Sequence, residues 1–289
     1  MAEQQGTARG YSVSQISEFK ERLQELRNET AAVQMVLFEL ASHLTIARAK
    51  TFANEGIGRR LPLIARSAMN IFKIFPLDAQ SLLSRDSCDD ISIQLQAFAI
   101  NVYALFDNMA WVCMLEAGGS LSPLKVSLFK KEIEPFLPDE LKTYAATVSM
   151  KKWFDEYGKV YRDSTAHRIP PYLPSRAYTA EEGRQYQELH EQANAALVEA
   201  SKVMMTDRKR GHELLDQQEA LLRSKEMIGS NSLLIALSLS STDGGPPIYM
   251  HPQLLCDWAL ANEAVRTFDR AMRAQYGWPA RELPDVYVS

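Results

Sequence analysis

The chain of 289 residues is 46% hydrophobic and 24% charged, a balance ordinary for a globular protein long enough to bury a substantial core. A net charge of −4 and a pI near 5.8 argue against a surface that coats nucleic acid at large and leave room for a local basic patch. The three cysteines, Cys88, Cys113 and Cys256, are odd in number and show no Cys-x-x-Cys spacing, which fits reduced thiols in a cytoplasmic protein, two of them in apolar, core-like surroundings.

Residues 1–10 are polar and carry no apolar run, so they read as a disordered tail rather than a signal peptide or anchor. From Val13 to Thr51 there is no Pro or Gly, and Ile16, Phe19, Leu23 and Leu26, then Val33, Leu37, Leu40 and Leu44, recur at helical spacing. One long amphipathic helix is expected, ended by Asn54-Glu55-Gly56-Ile57-Gly58, with Pro62 opening a shorter apolar helix to Phe75. A third helix should start in a cap region at Asp86–Asp90 and stop at Gly118-Gly119. Its apolar stretch from Ala97 to Ala117 is interrupted by Asn101, Asp107, Asn108 and Glu116, too polar for hydrocarbon, so a buried bundle helix is expected rather than a membrane span.

Short pieces should fill Pro123–Pro138, and helix resumes at Asp139 with a kink near Ser149. Past Pro170–Pro174, Thr179-Ala180-Glu181-Glu182 reads as a capping box, opening a long polar helix with an interruption at Gly211. Ser232–Ser240, the turn residues Asp243-Gly244-Gly245 and Ile248-Tyr249-Met250 suggest a small hairpin, and His251-Pro252 opens a last amphipathic helix to about Gln275. No repeat of 20–50 residues is present. The expectation is an all-α helical bundle, with residues 11–289 forming one domain that ends in a helical and hairpin extension.

Arg162-Asp163-Ser164-Thr165-Ala166-His167, just before Arg168-Ile169-Pro170-Pro171, is the chemically suggestive segment. A guanidinium can hold a phosphate through a two-pronged fork, and an imidazole can give or take a proton near neutral pH. Pro170 must end the helix soon after, which places His167 near a helix C-terminus, where the partial negative charge favours imidazolium. Five residues turn a helix by about 500°, so the two side chains diverge on an ideal helix. A shared site then needs a distorted helix end or a second subunit.

This spacing, with polar Asp163 after the Arg and Ala166 before the His, resembles the Arg-x4-6-His signature of the HEPN superfamily, helical bundles that include many metal-independent ribonucleases of toxin and defence systems. The resemblance implies Arg162 and His167 as catalytic residues acting on RNA without metal or other cofactor. It implies supporting roles for Asp163 and for a polar residue of a partner helix, with Asp107 and Asn108 as candidates. It further implies a homodimer, and an antitoxin or nucleotidyltransferase partner. Ile169 stands where some toxins of that family carry a modifiable tyrosine, which sets that mode of control in doubt.

Gln94, Asn101 and Asn108 lie seven apart and form one narrow stripe, whose plainer reading is a hydrogen-bonded seam holding two helices in register. The five histidines show no zinc spacing, and His212-Glu213 lacks the second histidine of a zincin helix. Arg208-Lys209-Arg210 reads first as a solvated helix face. Two other readings stand beside the ribonuclease: a non-catalytic helical module binding RNA, nucleotide or protein, and an interaction protein in which the motif is accidental.

Overall fold

A computed structural model describes residues 10–236 and 248–280, apart from the side chains of Ala166 and His167. The expected tail, except Gly10, and the Asp243-Gly244-Gly245 turn lie outside the described residues. In chain order the α-helices are α1 (Val13–His43), α2 (Ala47–Thr51), α3 (Gly58–Ile74), α4 (Arg85–Glu116), α5 (Asp139–Ala146), α6 (Val148–Trp153), α7 (Lys159–His167), α8 (Ala180–Val203), α9 (Arg208–Glu226) and α10 (Met250–Tyr276). The two-residue strands β1 (Leu234–Ile235) and β2 (Ile248–Tyr249) pair antiparallel, Leu234 opposite Tyr249. The protein is thus all-α with a very small hairpin near its C-terminus. The described residues divide into a larger unit, residues 10–78, 86–173, 233–236 and 248–280, and a smaller one, residues 79–85 and 174–232.

In the larger unit α1 lies along α10 and buries Leu26, Val33, Leu37 and Leu40 on the stripe its periodicity predicts. Between these helices Trp258 Nε1 donates to Thr30 Oγ1 at 2.7 Å, so the fully buried indole keeps a partner. Farther along, Arg273 is 5% exposed and held by both Asp269 oxygens, by Glu39 and by the Pro279 carbonyl, which offsets the cost of burying its charge.

The first helical segment breaks earlier than expected. Leu44 is extended, and the amide and hydroxyl of Thr45 both donate to Glu116 Oε1 at 2.6 Å while the Ile46 amide donates to Oε2 at 3.1 Å. A carboxylate 71 residues away therefore takes the two amides just before α2, a partner that local sequence cannot reveal. The expected stop at Asn54–Gly58 is instead a π-helical turn, Phe52–Ile57, which joins α2 to α3, and Pro62 lies inside α3 rather than at its start. The wide turn lets Gly56 approach α4, where a Cβ would stand 2.6 Å from the Asn108 amide nitrogen.

α4 ends where Gly118 takes φ +72°, as the Gly-Gly pair predicts. It is long and apolar enough to cross a membrane by length and composition, but 67% of its apolar window is buried inside the protein. The pieces after it are two 3₁₀ turns, Pro123–Lys125 and Lys131–Phe136. The expected kink near Ser149 is a break at Thr147, whose hydroxyl caps α6 by accepting from the Met150 amide.

In the smaller unit α8 and α9 form a helical hairpin. Thr179 and Glu182 make the capping box in both directions, at 3.2 and 2.8 Å. The interruption expected at Gly211 falls earlier, between Val203 and Arg208, with Asp207 capping α9. Gly211 lies within α9, where a Cβ would meet Met204 Sδ at 2.8 Å, so this glycine serves close packing rather than a turn.

Candidate functional site

Arg162 sits in the second turn of α7, just past a second π-helical turn, Phe154–Gly158, that joins α6 to α7. That turn passes close over Trp153, since a Cβ at Gly158 would stand 2.8 Å from the indole. α7 ends at His167, and the Arg168 amide bonds back to Ser164 O at 3.1 Å, the helix end that Pro170 predicts. The side chain of His167 lies outside what the structure describes.

The Arg162 side chain is 34% exposed and fixed from two sides. Its Nη2 donates to Tyr103 Oη at 3.0 Å, its guanidinium carbon stands 4.5 Å over the Tyr103 ring, and Nη1 pairs with Asp163 Oδ1 at 3.1 Å. Burial opposes its charge, but the Tyr103 hydroxyl, Asp163 and Asp107 outweigh this and hold the guanidinium above its ordinary pKa. Its Nε is buried without a hydrogen-bond partner. Asp163 thus pairs with Arg162 of its own chain.

Asp107 and Asn108, neighbours on α4, serve different surroundings. Burial raises the Asp107 pKa, against the pull of Ser127, Arg162, Lys130 and Arg60. Asn108 instead faces the π-helical turn at Gly56, and no bond joins it to Arg162. It is the last member of the polar stripe. Arg60 donates to Asn101 Oδ1 at 2.9 Å and Asn70 donates to Gln94 Oε1 at 3.3 Å, so the stripe runs antiparallel along α3 and its preceding turn, as the seam reading expects.

Tyr103 and Arg60 belong to this constellation and escaped the sequence reading. Tyr103 stands one turn before Asp107 on α4, at the i, i+4 spacing that places two side chains on one helix face. That spacing was the available signal. Arg60 offers none, because it lies in the segment expected to break rather than to pack.

Nearby, a cavity of about 30 Å³ is lined by Leu95, Phe98, Tyr161, Gln253 and Asp257 among others. Trp153 Nε1 and Gln253 Nε2 both donate to Asp257 Oδ1 at 2.8 Å. Burial nevertheless pushes the Asp257 carboxyl up to about 7. Tyr161 Oη is buried there without a partner. Cys88 and Cys113 are buried and Cys256 is exposed, and among the described residues none forms a disulfide. Among the described residues, no three His, Cys, Asp or Glu side chains converge as a metal site would require. No family model, curated protein or solved structure matches the chain.

Proposed function

We propose that this protein is a metal-independent endoribonuclease of HEPN type, cytoplasmic and dimeric, of the kind found in toxin and anti-phage defence systems. One observation carries the reading most of the way: Arg162 is anchored by Tyr103 and Asp163 yet keeps a third of its side chain open to solvent, five residues before His167 at the end of α7. A guanidinium held in advance at a solvent-reached helix end loses little freedom when it meets a phosphate.

In the reaction, the substrate 2′-hydroxyl attacks the adjacent phosphorus and the bond to the 5′-oxygen breaks. Arg162 stabilises the charge gathering on the phosphoryl oxygens, and His167 transfers protons between the attacking and leaving oxygens. The products are a 2′,3′-cyclic phosphate and a free 5′-hydroxyl. End analysis of RNA fragments tests this directly. Fragments ending in a cyclic phosphate support the reading, and fragments bearing a 5′-phosphate contradict it.

A non-catalytic binding module is the second reading, favoured by the contacts that already hold Arg162 in the free protein. The Tyr103 hydroxyl and Asp163 each take one N–H of a terminal nitrogen, and the Tyr103 ring lies under the guanidinium. Tight RNA binding with intact RNA recovered after long incubation would select it.

A further inference from the structure

Among the described residues, seven buried side-chain nitrogen or oxygen atoms lack a hydrogen-bond partner, and four of them belong to one cluster: Arg60 Nε, Asp107 Oδ1, Ser127 Oγ and Arg162 Nε. Buried polar atoms ordinarily find partners, so four orphans in one place call for a common cause. They come from four separate stretches: α3, α4, the loop after Pro123–Lys125, and α7. Lys130 adds a fifth group, near enough with Arg60 and Arg162 to act on the Asp107 charge. The Ser127 hydroxyl lies against the same carboxyl without the alignment of a hydrogen bond.

The inventory of these groups indicates what they lack. Arg60, Arg162 and Lys130 can only donate, and Ser127 can donate. Against three cations stand Asp107 and Asp163, which leaves one positive charge over. Asp107 does not serve as the missing acceptor, since its own Oδ1 is also unpartnered. A tetrahedral oxyanion fits better, because its several oxygens can take N–H groups from different directions at once.

We propose that Arg60, Ser127, Lys130 and Arg162 form a phosphate-binding subsite around Asp107. The proposal deepens the ribonuclease reading and rests on it for the identity of the strand, because it adds a phosphoryl contact beside the one at Arg162. Asp107 acts as the internal counter-ion of the empty subsite. When the phosphoryl group enters, Asp107 takes up a proton from solvent and its O–H donates to a phosphoryl oxygen, which removes a like-charge clash. Burial already favours that neutral form. The charged groups acting on it are Arg60 from α3, Lys130 from the loop and Arg162 from α7, and Arg162 in turn meets Tyr103 and Asp163. Affinity should therefore rise as pH falls.

The test uses the full chain and a labelled oligodeoxynucleotide, which carries diester phosphates but no 2′-hydroxyl and so cannot be cut by this chemistry. Its charge is constant between about pH 5 and 8, so any pH dependence belongs to the protein. Arg60→Gln and Lys130→Gln should each weaken binding about tenfold, the size of one charge-assisted hydrogen bond. Asp107→Asn should tighten it about tenfold at pH 8 and flatten the pH profile. Lys130 is exposed, so its variant keeps the test valid if Arg60→Gln fails to fold. Competition by inorganic phosphate would make a free oxyanion a ligand as well, and its failure to compete, with the same variant pattern, would assign the subsite to a strand.

Wild-type affinity in Arg60→Gln, Lys130→Gln and Asp107→Asn would overturn the subsite, even if the protein cuts RNA. The expected variant pattern in a protein that leaves RNA intact would instead overturn the ribonuclease reading alone.

Discussion

Tyr103 holds Arg162 in two ways, by a hydroxyl that accepts from Nη2 at 3.0 Å and by a ring whose centroid lies 4.5 Å below the guanidinium. Tyr103→Phe removes the first contact and keeps the second. Because Arg162 is about a third exposed, water can replace the lost partner, and the expected loss of stability is only ~0.5–1 kcal/mol. RNA cleavage should fall further, by about tenfold, since the remaining stack permits the guanidinium to rotate. Urea unfolding and cleavage rates measured on the same preparation check both halves; an unchanged rate would remove Tyr103 from the site.

Gly56 and Asn108 give a packing prediction. Gly56→Ala places a methyl group 2.6 Å from the Asn108 amide nitrogen, inside contact distance. The variant should lose roughly 1–3 kcal/mol by overpacking. Asn108→Ala in the same chain should recover much of that loss, because it removes the atom in the way. A double-mutant cycle with no coupling between the two sites would show that α4 and the π-helical turn do not meet as described.

His251 predicts a loss of stability in acid. Its Nε2 meets the Phe75 carbonyl at 2.8 Å, so that nitrogen carries the proton and Nδ1 accepts from the Tyr11 hydroxyl at 3.2 Å. Burial lowers its pKa to about 4, below the ordinary 6.5, despite the Phe75 contact. The imidazole thus stays neutral in the fold, while the unfolded chain takes a proton below about pH 6.5. Its contribution is complete above that pH and is lost as pH falls toward 4, by at most roughly 3 kcal/mol. The stability difference between wild type and His251→Gln should shrink on acidification, and a difference constant from pH 7.5 to 4.5 would contradict the assignment.

Asp257 predicts the opposite dependence. Its folded pKa of about 7 lies above the ordinary carboxyl value, so the fold keeps a proton that the unfolded chain gives up above about pH 4. Stability from this group is present in acid and lost as pH rises through 7. Asp257→Asn keeps an oxygen to accept from Trp153 and Gln253 without the charge. It should stabilise the protein at pH 8 by at most roughly 4 kcal/mol, since the buried carboxyl no longer has to ionise, and change little at pH 4. Thermal melts at the two pH values decide it.

Helix type and most boundaries were legible in the sequence wherever the signal was local. The Thr179 capping box, the Gly118 stop and the apolar stripe of α1 are each settled by residues within a turn or two. Two of the misplaced boundaries share one cause, which is a partner far along the chain. Glu116 sets the start of α2 and Asn108 lies against the turn that carries Gly56, whereas Gly211 packs against nearby Met204. In each case a glycine or an unbroken apolar run was read by its own backbone preference, and tertiary packing decided otherwise. The same holds at the site. Asp163 could be found because it adjoins Arg162 in sequence, whereas Arg60 enters only through the fold.

The central claim is that Arg162 and His167 cut RNA without metal, and incubation of the purified protein with mixed RNA in EDTA tests it most directly. Wild type should cleave, with a pH optimum between roughly 6 and 8. Arg162→Ala should lose about 10²–10³ in rate and His167→Ala about 10²–10⁴, each with its fold retained, and Arg162→Ala should also lose roughly 1–2 kcal/mol of stability with its Tyr103 and Asp163 contacts. RNA left whole by the wild type, or cut as fast by both variants, would contradict the account.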